Sequence, residues 1–188
     1  MHIIPDFNIG FFNTWLGVVP IIISMVIIFV PKKKALKRGS DMSSYTKKEK
    51  YTALVSTSIF YLTLLYSMFV PLKIGTVWFY LGSFIYLFGI VPYIIGMSNF
   101  ADTPLNEPVV KGVYKISRNP MYFFSSVTIC GMGIAGASWL IIFFICLYVI
   151  LNHYTILSEE KFCSDKHGES YLKYTQHVPR YFFKIELK

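Results

Sequence analysis

The chain has 188 residues, of which 54% are hydrophobic, 18% aromatic and only 15% charged, and its formal net charge is +8. A mean hydropathy of +0.51 is too high for a disordered chain or for an ordinary soluble domain. A secreted, cytosolic or nucleic-acid-binding module is excluded, because the apolar residues are concentrated in long uncharged runs.

Four runs contain no Asp, Glu, Lys or Arg, and together they hold 112 of the 188 residues: Ile9–Val30, Tyr51–Leu72, Ile74–Ala101 and Asn119–Ser158. A membrane-spanning helix needs about 20 apolar residues, so each of the first three runs predicts one span. The fourth run has 40 residues, and we expect two helices that turn near residues 136–138. We therefore predict an all-α integral membrane protein with about five transmembrane helices.

The placement of the basic residues predicts the orientation of these spans. Three segments hold 17 of the 18 Lys and Arg residues: Pro31–Lys50, Asp102–Arg118 and Glu159–Lys188. Because cytoplasmic loops carry an excess of Lys and Arg, an outside N-terminus and five spans place all three segments in the cytoplasm. We expect segment 31–50 to be a solvated basic hairpin beside anionic lipid, without a catalytic role, and the C-terminal tail to be helical.

The chain divides into two parts by chemistry. Residues 1–100 are expected to form three transmembrane helices with the basic loop. Residues 101–188 hold a proline-rich loop, spans four and five and the tail, and we interpret them as the catalytic region. The loop re-enters the membrane at Asn119-Pro120, since Pro120 suits the first turn of a helix, and this places Arg118 at the membrane surface.

Two distant stretches are expected to meet at the cytoplasmic face, where the fourth span begins and the fifth ends. Topology therefore predicts one pocket lined by Arg118, Tyr122, His153, Glu159 and Glu160. Carboxylates bind ribose hydroxyls or an amino group, and aromatic rings hold adenine or a cationic sulfonium. Such a pocket suits a soluble nucleotide-type cofactor from the cytosol and a lipophilic partner from the bilayer.

Two other patterns predict structure, not chemistry. Residues 131–136, GMGIAG, match G-x-G-x-x-G but follow no strand, so we interpret these glycines as close helix packing within a span. The three cysteines show no paired spacing and no H-E-x-x-H sequence occurs, so we expect buried thiols, no disulfide framework and no metal site.

The C-terminal 80 residues, approximately, carry three motifs that belong together. Residues 112–122, GVYKISRNPMY, resemble G-x-Y-x-x-x-R-H-P-x-Y. Glu159-Glu160 follows after 36 intervening residues, and residues 168–180 resemble G-x-x-Y-x-x-Y-x-x-x-V-P-R. The chain thereby resembles the isoprenylcysteine carboxyl methyltransferase family and its phospholipid methyltransferase relatives. In size it is similar to archaeal or bacterial members.

The resemblance implies a membrane methyltransferase that binds S-adenosylmethionine at the cytoplasmic ends of the last two spans. It implies cofactor-binding residues at Val113, Tyr114, Arg118, Asn119, Pro120, Tyr122, Glu159 and Glu160. The residues expected to act on the substrates are Arg118, Glu159 and His153, the last being the titratable candidate for a base near the membrane surface.

Two departures from the family pattern bear on mechanism. The family histidine is Asn119 here, and asparagine hydrogen-bonds but does not titrate near neutrality, so a positioning role is expected. Eukaryotic members tend to carry arginine just upstream of the double glutamate, where this chain has residues 152–155, NHYT. A carboxylate, an amine and a thiol all stay open as the methyl acceptor.

Two alternatives to a methyltransferase compete. Sterol and enone reductases that use NADPH resemble the same C-terminal region, although they usually have more spans and lack the double glutamate. A non-catalytic membrane module that binds lipid or a partner is the third hypothesis. We expect membrane lipids and a lipophilic acceptor as partners, and no nucleic acid; the sequence leaves the oligomeric state open.

Overall fold

The computed structural model describes residues 8–39 and 41–182, and over these residues the chain forms seven α-helices and no strand. In chain order they are α1 (Val18–Phe29), α2 (Lys33–Gly39), α3 (Lys47–Tyr66), α4 (Val77–Ala101), α5 (Pro120–Ala135), α6 (Trp139–His167) and α7 (Glu169–His177). The all-α prediction is confirmed, and α7 gives the tail its helix. The tail residues Lys184 and Lys188 lie outside the described part of the chain.

Three helices are long and apolar enough to cross a membrane: Lys47–Phe69, Val77–Ala101 and Trp139–His167. A fourth span results if Thr14–Phe29 and Lys33–Gly39, which meet at a bend of 116°, are one broken span. Helix α5 is apolar but has only 16 residues. The count of five spans and their orientation stay predictions.

The first uncharged run is not one continuous helix, and this part of the prediction is wrong. Asn13 instead donates to the backbone oxygen of Met68 at 2.7 Å, and the Thr14 backbone N–H donates to the Val70 oxygen at 2.8 Å. A 3-10 turn (Thr14–Gly17) then leads into α1. The first residues of the run therefore bind the connection between α3 and α4, which satisfies backbone groups that a helix would have used.

The 40-residue run breaks where its small residues predict. Helix α5 begins at Pro120 and ends at Ala135, and Ser138 caps α6 by accepting from the Ile141 backbone N–H. Ala137 between them has a positive φ of 49°. This tight turn makes α5 and α6 antiparallel neighbours, so the first turn of α5 and the last third of α6 lie at the same end of the bundle.

Helices α4 and α5 pack backbone against backbone along a line of glycines. A Cβ atom on Gly131 would lie 2.7 Å from the Tyr86 Cα atom, and one on Gly89 would lie 2.6 Å from the Thr128 nitrogen. Such distances are shorter than real Cβ contacts, so only glycine fits. The interpretation of the G-x-G-x-x-G sequence as a packing surface is confirmed.

The hydrophobic core joins both predicted parts of the chain. Its buried members come from α1, the α3–α4 connection, α5 and α6, and partly buried residues of α3 and α4 pack on them: Val18, Val70, Ile129, Met132, Ile141, Ile145 and Tyr148, with Ile59, Phe60 and Tyr86. Large apolar side chains on the outer faces are exposed, for example Phe84, Phe88 and Ile150. Exposed apolar surface along whole helices is typical of a bundle surrounded by lipid.

Candidate functional site

A cavity of about 400 Å³ lies at the end of the bundle where α5 begins. All seven helices and the loop before α5 contribute residues to its lining, among them Tyr93, Tyr114, Arg118, Asn119, Tyr122, Glu159, Glu160, Cys163, Tyr171 and Tyr174. Its volume is within the range of small-molecule sites, and its walls are mostly apolar and aromatic with a few polar groups. We call it the main cavity.

Glu160 is a buried carboxylate that ties three segments of the chain together. Its Oε2 atom accepts from Arg118 Nη2 at 3.1 Å and from Arg180 Nε at 3.0 Å, and its Oε1 atom accepts from Asn119 Nδ2 at 2.8 Å. Two arginines and an amide therefore compensate its charge. This cluster fixes the start of α5 and the tail against α6.

Backbone contacts reinforce the same cluster. The Arg118 N–H donates to the Pro179 oxygen at 2.9 Å, and the Ser117 hydroxyl donates to the Arg180 oxygen at 3.0 Å. Asn119 Nδ2 also lies 3.3 Å from that oxygen. The V-P-R part of the tail motif thus serves to hold the tail on the residues before α5.

Glu159, the neighbouring carboxylate, has a different environment. The Tyr122 hydroxyl donates to its Oε1 atom. Among the described residues, the Lys and Arg ion pairs go to Asp102, Glu160 and Glu169, and none goes to Glu159. Glu159 therefore faces the main cavity without a Lys or Arg partner among the described residues.

Arg118 also lines the main cavity. Its Nε atom is buried and, within residues 8–39 and 41–182, has no hydrogen-bond partner. A buried donor without a partner costs about 1–3 kcal/mol. A carboxylate without a cationic partner and an arginine in one cavity suit a ligand that carries both a positive charge and a carboxylate.

Three tyrosines supply neutral polar groups outside the membrane helices. Burial raises the pKa of Tyr114, Tyr171 and Tyr174 above the usual phenol value, so they stay protonated. The Tyr174 hydroxyl donates to the Tyr114 backbone oxygen at 2.6 Å, which joins α7 to the loop before α5. These rings add aromatic surface and neutral hydrogen-bonding groups to the cavity wall.

Six of the sequence-predicted residues line the main cavity: Tyr114, Arg118, Asn119, Tyr122, Glu159 and Glu160. Val113 and Pro120 do not line it. The Val113 N–H donates to Asn99 Oδ1 at 3.1 Å, and Pro120 is the buried first residue of α5. These two residues position the loop and the helix.

His153 does not lie in the main cavity, so its predicted place beside Arg118 and Glu159 is wrong. It points into a second cavity between α5 and α6, and its Nδ1 atom is 2.6 Å from the Tyr181 hydroxyl. Since His153 precedes Glu159 by six residues, the two side chains leave α6 on different faces. Tyr122 lines both cavities and lies between them.

The basic loop is more than a solvated hairpin, and that expectation is wrong in part. Arg38 donates to the backbone oxygens of Phe100, Thr103 and Pro104, and its guanidinium lies 4.3 Å from the centre of the Phe100 ring. This residue holds α2 against the end of α4. As a result, Ala35, Leu36 and Gly39 line the main cavity.

Cys163 is a cavity residue that the sequence analysis did not predict, although its spacing in the sequence indicates its position. It follows Glu159 by four residues, which places both side chains on one face of α6, and it lines the main cavity. The α2 residues gave no comparable signal, because their contribution depends on the bend between α1 and α2. Tyr171 and Tyr174 of α7 also line the main cavity.

Comparison with known proteins identifies the family. The sequence model of the phospholipid methyltransferase family matches residues 53–170, which is more than half of the chain and includes α4, α5, α6 and most of α3. The match thus reaches further towards the N-terminus than the motifs that carried the resemblance. No curated protein and no solved structure gives a significant match to the chain. With this match and the clustered motif residues, the chain belongs to the phospholipid methyltransferase family.

Proposed function

We propose that the protein transfers a methyl group from S-adenosylmethionine to a lipophilic acceptor at the cytoplasmic face of a membrane. Membership of a methyltransferase family and the apolar helices support the class of reaction and a membrane location. The observation that carries the proposal is the main cavity, in which Glu159 is unbalanced while Glu160 beside it is compensated by two arginines. The reductase alternative has no support from the family match.

The residues of the main cavity fit the proposed cofactor by charge. When bound, S-adenosylmethionine supplies an electrophilic methyl group on a positively charged sulfur. Glu159 would offset the positive charge of the bound cofactor, and the Arg118 side chain that lines the same cavity would attract its carboxylate. Tyr114, Tyr171 and Tyr174 provide rings for stacking and for cation–π contact.

Alignment would supply much of the rate enhancement. Holding two reactants in line contributes roughly 7–11 kcal/mol in well-oriented systems. Tyr122 lines both the main cavity and the cavity between α5 and α6, so it lies where a cytosolic cofactor and an acceptor from the bilayer would meet. The Glu159 carboxylate fixes the Tyr122 hydroxyl by accepting its hydrogen bond.

The test compares ligand binding to the purified full-length protein in detergent by isothermal titration calorimetry. We expect S-adenosylhomocysteine and S-adenosylmethionine to bind and NADPH not to bind. The variant Glu159→Gln should weaken S-adenosylmethionine binding at least about tenfold, equivalent to about 1.4 kcal/mol.

Glu169→Gln is the matched control for this measurement, because Glu169 is exposed on α7 in an ion pair with Lys173. It should leave the affinity unchanged. If NADPH binds and S-adenosylhomocysteine does not, the methyltransferase proposal is overturned in favour of the reductase alternative. Binding of neither ligand, with an intact helical spectrum, would favour a non-catalytic module.

A further inference from the structure

The second cavity is a groove of about 830 Å³ between α5 and α6. It extends along α5 from Tyr122 to Cys130, a distance of about 12 Å at 1.5 Å per residue. Apolar side chains such as Val127, Ile145 and Val149 line its length, while Tyr122, His153 and Tyr181 place polar atoms near the end of α5 that adjoins the main cavity. This groove has the form of a site for an apolar chain with a small polar head.

The groove has no fixed charge. None of the residues that line it, within the part of the chain that the structure describes, is Lys, Arg, Asp or Glu. Arg118 and Arg180 are close in sequence to the groove residues Tyr122 and Tyr181. Both arginines already donate to Glu160, at 3.1 and 3.0 Å. An anionic head group in this groove would lose water without gaining a cationic partner, which is unfavourable.

Neutral polar groups surround the mouth instead. The His153 ring hydrogen-bonds the Tyr181 phenol through Nδ1 at 2.6 Å. The ring centroids of Phe182 and Phe123 are 4.4 Å apart, so the tail segment that carries Tyr181 packs on α5. A protonated amine would meet no Asp or Glu side chain among the described residues that line the groove.

We infer that the acceptor is a lipophilic molecule with an uncharged protic head group, a thiol or a hydroxyl, and that the His153–Tyr181 pair receives its proton. This inference rests on the proposed function. The acceptor sulfur or oxygen forms a bond to the methyl carbon as the bond from that carbon to the donor sulfur breaks. The electron pair stays on the donor sulfur, which becomes neutral, and the acceptor's proton moves to His153 Nε2.

Binding to the groove is tested without turnover. Single-chain compounds of equal length, dodecanol, dodecanoate and dodecylamine, are added at pH 8 to the full-length protein in detergent. Alkylation of Cys130 and Cys146, which line the groove, by N-ethylmaleimide is followed by mass spectrometry, with Cys163 in the main cavity as the internal reference. Dodecanol should slow the labelling of both groove cysteines at least several-fold more than the two charged compounds do.

Equal protection by all three compounds would make the groove an unselective lipid-facing surface and would overturn the inference. Stronger protection by dodecanoate would overturn it in favour of an anionic head group. Neither result affects the proposed function, which is judged by binding of S-adenosylhomocysteine.

Turnover is tested with labelled S-adenosylmethionine and dodecanethiol, dodecanoate or phosphatidylethanolamine as acceptor. The thiol should be methylated fastest, and Tyr181→Phe and His153→Gln should lower its rate by about a hundredfold, the range of general acid–base catalysis. Both variants should also change the pH profile of the rate and leave S-adenosylhomocysteine affinity unchanged. Tyr80→Phe, an exposed residue of α4, is the control.

Faster methylation of dodecanoate or phosphatidylethanolamine, with cofactor binding intact, would overturn the inference and keep the proposed function. Unchanged thiol methylation in both the Tyr181 and His153 variants would remove the assigned proton acceptor. Loss of S-adenosylhomocysteine binding in wild type would instead remove the proposed function itself.

Discussion

At the scale of single residues, the two adjacent glutamates have different tasks. Glu160 accepts from Arg118, Asn119 and Arg180, and it holds the start of α5, the end of α6 and the tail together. Glu159 accepts from Tyr122 and faces the main cavity. Successive helix residues point about 100° apart, so one carboxylate of the pair joins three segments while the other faces the cavity.

Replacing Glu160 should destabilise the fold. In Glu160→Gln, Arg118 and Arg180 lose their anionic partner, and breaking a buried pair costs about 3–5 kcal/mol. Arg180 is partly exposed and screened by water, so we expect a loss of about 3 kcal/mol in the free energy of unfolding. Unfolding in mixed micelles with increasing sodium dodecyl sulfate, followed by circular dichroism, measures this change.

The same substitution at Glu169 is the control, because its ion pair with Lys173 is exposed and worth less than about 1 kcal/mol. A loss at Glu160 no larger than the loss at Glu169 would show that the buried cluster does not hold the tail.

Asn119 illustrates how a departure from a family motif is accommodated. Its side-chain nitrogen donates to Glu160 and lies 3.3 Å from the Arg180 backbone oxygen. These are the contacts of a positioning residue, which is the role that the sequence predicted for an asparagine at the family histidine position. They need a donor and no titratable group.

At the scale of helices, the close packing of α4 on α5 sets the geometry of the site. Gly82, Gly89 and Gly131 leave no room for side chains between the two backbones. Because α5 begins at Pro120, directly after Arg118 and Asn119, the depth to which it packs on α4 decides where Tyr122 meets Glu159. The glycine sequence that has the form of a nucleotide-binding loop therefore serves the site indirectly.

The variant Gly131→Ala should lower stability by about 2–3 kcal/mol, since its new methyl group would overlap the Tyr86 backbone. Gly96→Ala is the matched control on α4. Its methyl group would meet the flexible Met121 side chain at 3.1 Å, and alanine favours the helix by about 1 kcal/mol. Unfolding curves of both variants measure this difference. Equal unfolding midpoints for Gly131→Ala and Gly96→Ala would contradict the packing argument.

Arg38 helps to hold helix α2 over one side of the main cavity. Arg38→Ala removes three hydrogen bonds to the end of α4 and the contact with Phe100. We expect faster trypsin cleavage within residues 31–39 and weaker S-adenosylhomocysteine binding, because α2 would no longer be held over the cavity.

Lys34→Ala is the control for this experiment, because Lys34 is exposed on α2 and its removal also deletes one trypsin site. Equal cleavage rates in the two variants would show that Arg38 does not hold α2 in place.

At the scale of the whole molecule, every element of the site lies at one end of the bundle. Helix α5 begins there, α6 extends past it, and α2, α7 and the tail cover it. The opposite end carries Lys73, whereas Lys111 belongs to the loop before α5. This arrangement agrees with the charge bias, which predicts that the site end is cytoplasmic.

Cysteine labelling tests this orientation in intact cells. In a background without the three native cysteines, a membrane-impermeant maleimide should label Lys73→Cys from outside and should label Lys111→Cys only after the membrane is permeabilised. Both positions are exposed, so reactivity reports their side of the membrane. Labelling of both from the same side would refute the predicted topology.

The sequence by itself determined the helical membrane class, the turn at residues 136–138 and the meeting of Arg118 and Tyr122 with the double glutamate. These follow from runs of apolar residues, from the positions of proline, glycine and charge, and from family motifs, all of which are local or one-dimensional signals. Tertiary structure decided the rest. The bend after α1 places Arg38 and α2 over the main cavity, and the rotation of α6 turns His153 away into the groove with Tyr181. Both depend on how helices pack around their axes, and residue patterns alone do not fix that when the lipid-facing and buried sides are equally apolar.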